Sequence, residues 1–175
     1  VSSYFSEKES TSSNYNINNK FSVTSRTGKK RDYFNIGFTT AFNKGDGESS
    51  SYSKNKLESS NSEVIQDQIS NTNNSGSQIN FNARWSKELL PSFRIIPKYN
   101  ASVNTDNSEK LIYDYDVDTD SYNSFNDQIS TDSRYVNTTV RPALQLRYDY
   151  KSIRFELEGA YTNTFRKYED NIIEA

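Results

Sequence analysis

The chain has 175 residues, of which only 32% are apolar, and its formal net charge is −2. This near-neutral charge and the scattered basic residues argue against a nucleic-acid partner. The absence of Cys excludes disulfides, a thiol nucleophile and a zinc–thiolate site. Such low hydrophobicity is typical of disordered chains, but the 14% aromatic content is not.

Six segments alternate apolar and polar side chains with a period of two, which is typical of a β-strand with two different faces. In chain order they cover residues 14–26, 33–43, 78–88, 93–104, 133–148 and 152–162. The second segment is the clearest, since Phe34, Ile36 and Phe38 alternate with small or polar residues. Pro97 and Pro142 lie inside two later segments and cannot donate to a strand ladder, so we expect a local bulge or a widened register at each.

The connections between these segments alternate between short and long. Tight turns are predicted around Gly28, at residues 89–92 and at residues 149–151, and long polar loops at residues 44–77 and 105–132. Outer-membrane barrels have this rhythm, because tight periplasmic turns alternate with long extracellular loops. The segments also exceed the usual strand length of about 5–6 residues and are long enough to cross an apolar layer when tilted.

We therefore predict an all-β fold, an antiparallel up-and-down meander of about six long strands that is part of a larger transmembrane β-barrel. Residues 14–166 are predicted as the barrel segment, with three hairpins. Residues 1–13 are predicted as a polar lead-in or the end of an extracellular loop, and residues 167–175 as a polar tail or the next loop. Because single-chain barrels use at least about eight strands, we expect the same polypeptide or another chain to supply the rest.

In such a barrel one stripe of each strand contacts lipid and the other lines the lumen. The predicted lipid-facing residues are Phe34, Ile36, Phe38, Ile79, Phe81, Val140, Leu144, Leu146, Ile153, Phe155 and Leu157. The predicted lumen-facing residues are Arg84, Lys98, Arg141, Arg147, Arg154 and Glu156.

An acidic run in the second long loop is a candidate calcium site. Its predicted ligands are Asp116, Asp118, Asp120 and Asp127, which occupy the first, third, fifth and twelfth positions of a calcium-binding loop. Ser121 stands where such a loop has glycine, and a solvated extracellular loop is the alternative. No catalytic constellation emerges, since the chain has neither His nor Cys and no Ser has an identifiable activating partner; we predict that it is not an enzyme.

The second long loop also carries a resemblance to a known family. Residues 111–122 (LIYDYDVDTDSY) and 126–130 (NDQIS), with flanking residues 99–102 (YNAS) and 141–148 (RPALQLRY), resemble large outer-membrane barrels of the Bacteroidetes. Those proteins belong to the TonB-dependent receptor-like superfamily, and the resemblance covers about residues 78–166. It implies a bacterial outer-membrane location and about 22 strands around a plugged lumen. The plug and a C-terminal aromatic residue have no counterpart here, so we expect an internal barrel segment.

The leading hypothesis is a barrel segment of a TonB-dependent receptor-like protein that takes up nutrients or polymers. The expected partners are outer-membrane lipid, the remaining barrel strands, and a surface lipoprotein or substrate at the extracellular loops. One alternative is a structural barrel subunit of an outer-membrane secretion or motility assembly. Another is a soluble secreted β-sandwich or adhesin module, which predicts shorter strands and two packed sheets.

Overall fold

The computed structural model of the chain describes residues 2–26, 28, 32–57 and 62–172. In these ranges the chain is all-β and antiparallel, as predicted. The strands are β1 (Ser2–Arg26), β2 (Tyr33–Leu57), β3 (Ser62–Leu90), β4 (Phe93–Asp116), β5 (Ser121–Phe125), β6 (Thr131–Tyr150), β7 (Ile153–Ala160) and β8 (Asn163–Asp170). No helix among the described residues is long and apolar enough to cross a membrane.

The strands form one sheet in the order β1-β2-β3-β4-β6-β7. The short β5 pairs with β4 beyond the point where β6 begins. Strands β7 and β8 lie end to end along β6 and together occupy one strand position of the sheet, here called a lane. The register does not change between them, since Ala143 lies opposite Ala160 and Val140 lies opposite Asn163. The described residues therefore fill six lanes, as predicted, in an up-and-down order. The sheet is not closed into a barrel by itself, and β1 and the β7–β8 lane form its two edges.

The strands are much longer than predicted. Residues 44–57 and 62–77 continue β2 and β3, and residues 105–116 continue β4, so the prediction of long loops is wrong for most of both ranges. The polar ends of the chain are also paired, as β1 begins at Ser2 and β8 reaches Asp170. The physical reason is tertiary pairing, which overrides the weak strand preference of Ser, Asn and Gly. The β2–β3 connection and the Lys29–Arg31 part of the first turn lie outside the described residues.

The two prolines are accommodated without a bulge. Pro97 lies opposite Leu144, and Pro142 lies opposite Tyr99, in an unshifted β4–β6 register. On the other side of each proline the ladder has a gap, and at Pro142 this gap separates β7 from β8. There Tyr161 N donates to the Pro142 carbonyl oxygen at 3.0 Å. The predicted bulges are therefore wrong, because a missing donor removes local pairing but leaves the register intact.

The sheet is a single layer with almost no core of its own. Among the described residues only Ile96 and Ile112 are buried apolar side chains. Large apolar side chains are instead exposed, including Phe21 at 63% and Phe155 at 62%. Contiguous apolar surface of this kind normally contacts a partner or a membrane.

Candidate functional site

One face of the sheet, here called the apolar face, carries the apolar stripes of all six lanes. Residues directly opposite each other on paired strands share a face. Phe38 lies opposite Phe81, and Leu146 lies opposite Leu157, so the register joins the stripes laterally. All the residues predicted to face lipid lie on this face. The alternation also places Phe21, Ile17, Phe42, Trp85 and Val103 on this face, and the structure adds Phe165.

The apolar face ends sharply where the strands extend beyond it. After Phe42 on β2, the same face continues with Lys44, which lies opposite Ser75. Ser75 lies opposite Asn107, and Asn107 lies opposite Arg134, so the face turns polar across several lanes at one level. The apolar residues of this face are here called the apolar band. From Phe34 to Phe42 the band covers about 27 Å along the strand, or about 21 Å if the strands tilt by about 40°. This height is close to the apolar band of about 25 Å in outer-membrane barrels.

The apolar band also runs obliquely across the hydrogen-bonded rows. The row through Phe34 reaches β7 at Gly159, yet the apolar side chains of β7 continue to Ile153. This drift of six residues over four strand steps is about 1.5 residues per strand, which corresponds to a strand tilt of about 45°. Barrel strands tilt by about 35–45°.

The opposite face, here called the polar face, holds all the residues predicted to face the lumen. Arg84 lies opposite Lys98, and Arg147 lies opposite Glu156. Small and amide side chains fill most of the other positions at the same level, among them Asn35, Asn80, Asn82, Asn100, Asn104 and Asn137. A layer of amides, hydroxyls and charges suits contact with water and not with hydrocarbon.

A cluster of charges lies on the polar face near the turn between β6 and β7. The Asp149 carboxylate accepts hydrogen bonds from Arg94 Nη2, from Arg147 Nε at 3.1 Å and from Arg154 Nε at 3.0 Å. Arg147 also pairs with Glu156 at 3.3 Å. Three arginine side chains therefore converge on the Asp149 carboxylate. We call these five residues the turn cluster.

Asp149→Asn should destabilise the fold at neutral pH. The Asp149 carboxylate accepts hydrogen bonds from three arginine side chains, and an amide at this position cannot neutralise their charge. Urea titrations of the two proteins at neutral pH measure the loss of unfolding free energy. Asp46→Asn, at an exposed carboxylate 3.3 Å from Lys44, is the control and should have little effect.

A second cluster lies farther from the turns and is called the cationic cluster here. It consists of Arg84, Lys98, Arg141 and Glu158. Lys98 Nζ lies 2.8 Å from one Glu158 oxygen, and Arg141 Nη2 lies 3.7 Å from the other. The Arg84 guanidinium lies over the Tyr33 ring, 5.7 Å from its centroid. Alternation in phase with Glu156 predicts Glu158 on this face, but not its pairing with Lys98 and Arg141.

An ion pair with a buried carboxylate joins the β1–β2 turn to the β3–β4 turn and was also not anticipated. Asp32 is 1% exposed and accepts hydrogen bonds from Lys87 Nζ at 2.7 Å and from Glu88 N at 2.8 Å. Asp32 immediately precedes β2, and Lys87 lies near the end of β3, so the pair fixes one hairpin end against the next. Its formation depends on a register that the sequence pattern does not specify.

The structure does not bring the predicted calcium ligands together. Asp116 ends β4, and its carboxylate accepts hydrogen bonds from Asp118 N at 3.0 Å and from Thr119 Oγ1 at 2.9 Å. Asp120 accepts a hydrogen bond from the Tyr115 hydroxyl, and Asp127 lies in the next turn. Within the described part of the chain, no group of three or more His, Cys, Asp or Glu side chains could hold a metal ion. The calcium prediction is left without support.

The geometry alone therefore defines a sheet with one apolar and one polar face. The resemblance of residues 78–166 to TonB-dependent receptor-like barrels stays a prediction. No protein-family model matches the chain, and no curated protein matches it.

Proposed function

We propose that this chain is a segment of a transmembrane β-barrel in a bacterial outer membrane. Its apolar face contacts acyl chains, and its polar face lines the interior. The observation that carries the proposal is the bounded apolar band on a sheet with no second layer. A soluble β-sandwich would cover such a band with another sheet, and the described residues form only one.

The open edges support membership of a larger barrel. Backbone groups in lipid must be hydrogen-bonded within the protein, so each edge needs a neighbouring strand. Strand β1 has 25 residues, contains no proline and pairs with β2 without a bulge. Proline residues and bulges commonly protect a free edge strand from pairing, and β1 has neither. The neighbouring strands come from the same polypeptide or from another chain.

Uptake of a nutrient or polymer, as in TonB-dependent receptor-like proteins, is the activity that we propose for this barrel. Two features favour it over a purely structural barrel. The polar face presents a hydrated wall of amides and cations across the whole height of the apolar band. Strands β1 to β4 also extend well beyond that band and offer a surface where a substrate or a surface lipoprotein can be held before entry.

Quenching of Trp85 tests the lipid contact. Trp85 is the single tryptophan of the chain, lies on the apolar face and is 44% exposed near the turn end of the band. In the intact membrane protein, with tryptophans outside this segment replaced by Phe, brominated lipids should quench its fluorescence. Bromines near the headgroup should quench it more than bromines near the chain end.

The matched control moves the tryptophan to the other face at nearly the same depth. In the double variant Trp85→Phe/Tyr33→Trp, the indole lies on the polar face, since Tyr33 is opposite Ser86. We expect an aqueous quencher to reach it and brominated lipid to have little effect. Equal quenching of the two positions by lipid would contradict the proposed orientation.

A further inference from the structure

The cationic cluster is poorly neutralised. It brings one carboxylate, Glu158, to three cations, and each Glu158 oxygen already has a cation within 4 Å. The side chain of Arg141 remains 50% exposed and that of Lys98 22% exposed. Arg84 Nε is buried and has no hydrogen-bond acceptor. The cluster therefore presents both excess positive charge and an unused donor.

The sequence places like charges together in this cluster at an energetic cost. Arg84 on β3 and Lys98 on β4 are directly opposite. Like charges at directly opposed positions destabilise a sheet. The turn cluster also contains an opposed pair, Arg94 and Arg147, but its three arginines share two carboxylates. The cationic cluster lacks that second carboxylate.

Hydrogen-bonding groups surround the cluster on the polar face. Asn82 and Asn100 are opposite each other, and Asn100 is opposite Arg141. These side chains, with Asn80, Ser102 and Thr139, line a shallow depression that includes Arg141. Amide and hydroxyl groups at this position can bind the polar atoms around an anionic group.

We infer that the cationic cluster is a binding site for an oxyanion, a carboxylate or phosphate group carried by the solute that the barrel takes up. The inference rests on the proposed function, because the polar face must line the interior for a solute to reach it. Arg84 and Arg141 supply the charge-assisted hydrogen bonds to the oxyanion, and Lys98 adds a compact point charge. Glu158 holds Lys98 and Arg141 in place and competes with the ligand.

Titration calorimetry on the intact membrane protein in detergent tests this site. The probes are trigalacturonate for carboxylate, inorganic tripolyphosphate for phosphate, and maltotriose as an uncharged sugar. We expect at least one anionic probe to bind more tightly than maltotriose, and added salt to weaken its binding. The relative affinities of the two anions assign the chemical class.

Two variants with opposite expected effects make the test specific. Arg84→Gln/Lys98→Gln/Arg141→Gln should weaken anion binding by at least about tenfold, whereas Glu158→Gln should strengthen it by several fold. Arg141→Gln alone, at the most exposed cation, should weaken it by a smaller factor if the triple variant fails to fold. Lys44→Gln, on the opposite face, is the control and should change nothing.

The result that overturns the inference is anion binding that the cluster variants do not alter, or no binding of either anion. The Trp85 measurement is made on the same preparations. If lipid quenches Trp85 but the cluster variants leave anion binding unchanged, the inference alone fails. If lipid does not quench Trp85, the proposed function fails first.

Discussion

Replacing Phe38 with lysine should destabilise the barrel folded in vesicles by about 2–4 kcal/mol. Phe38 lies midway along the apolar band of β2, between Phe34 and Phe42, and directly opposite Phe21 and Phe81. A charge there enters hydrocarbon near the bilayer midplane, where its desolvation is most costly. Denaturant titrations of the intact barrel in vesicles measure the loss.

The size of this effect separates a membrane barrel from a water-exposed sheet. Phe38 is 42% exposed in the sheet alone, so in water a lysine at this position would change stability by well under 2 kcal/mol. Asn80→Lys, at a similar depth on the polar face, should cost less than about 1 kcal/mol. Phe42→Lys, at the margin of the band, should fall between the two. Equal costs at all three positions would argue against lipid contact.

The faces of the sheet could be predicted from sequence because they depend only on backbone geometry. Successive side chains of a strand point to opposite sides, so Phe34, Ile36 and Phe38 share a face in whatever sheet they join. The same rule places Arg147 and Arg154 on the polar face once the β6–β7 turn sets the register. Within a single strand, these assignments need no knowledge of the partner strands.

The lengths of the strands could not be predicted, because pairing in the polar region has no hydrophobic signature. Residues 44–57 contain two glycines and four serines, a composition that favours turns. In the structure they lie between residues 2–15 of β1 and residues 62–75 of β3, so their backbone groups are paired on both sides. Pairing on both sides of β2 therefore outweighs its local preferences.

The sequence predicted the face on which the charge clusters lie, but not the ion pairs within them. Alternation showed that Arg84, Lys98 and Arg141 share a face, but not that one carboxylate serves several cations. That detail depends on cross-strand register, which places Glu158 opposite Gln145 and within reach of Lys98. The Asp32–Lys87 pair is a stronger case, since Asp32 lies in a turn where periodicity carries no information.

Asp32→Ala should lower the unfolding free energy by about 2–3 kcal/mol. The Asp32 carboxylate is 1% exposed and is hydrogen-bonded to Lys87 Nζ and to the backbone N–H of Glu88. Its removal leaves a backbone donor without its acceptor and Lys87 without this counter-charge, at the point where two hairpins meet. Urea titration of the folded barrel measures the loss.

A double-mutant cycle that combines Asp32→Ala with Lys87→Gln separates the contribution of the ion pair from that of the hydrogen bond donated by the Glu88 backbone N–H. Asp32→Asn keeps an oxygen that can accept from Glu88 N–H but cannot neutralise Lys87, so it should cost less than Asp32→Ala. Lys87→Gln removes this counter-charge from the buried Asp32 carboxylate. Although Lys87 is 41% exposed, the change should therefore cost more than the loss of an exposed lysine normally does. If the two single changes were additive, Asp32 and Lys87 would not be coupled, and this ion pair would not join the turns.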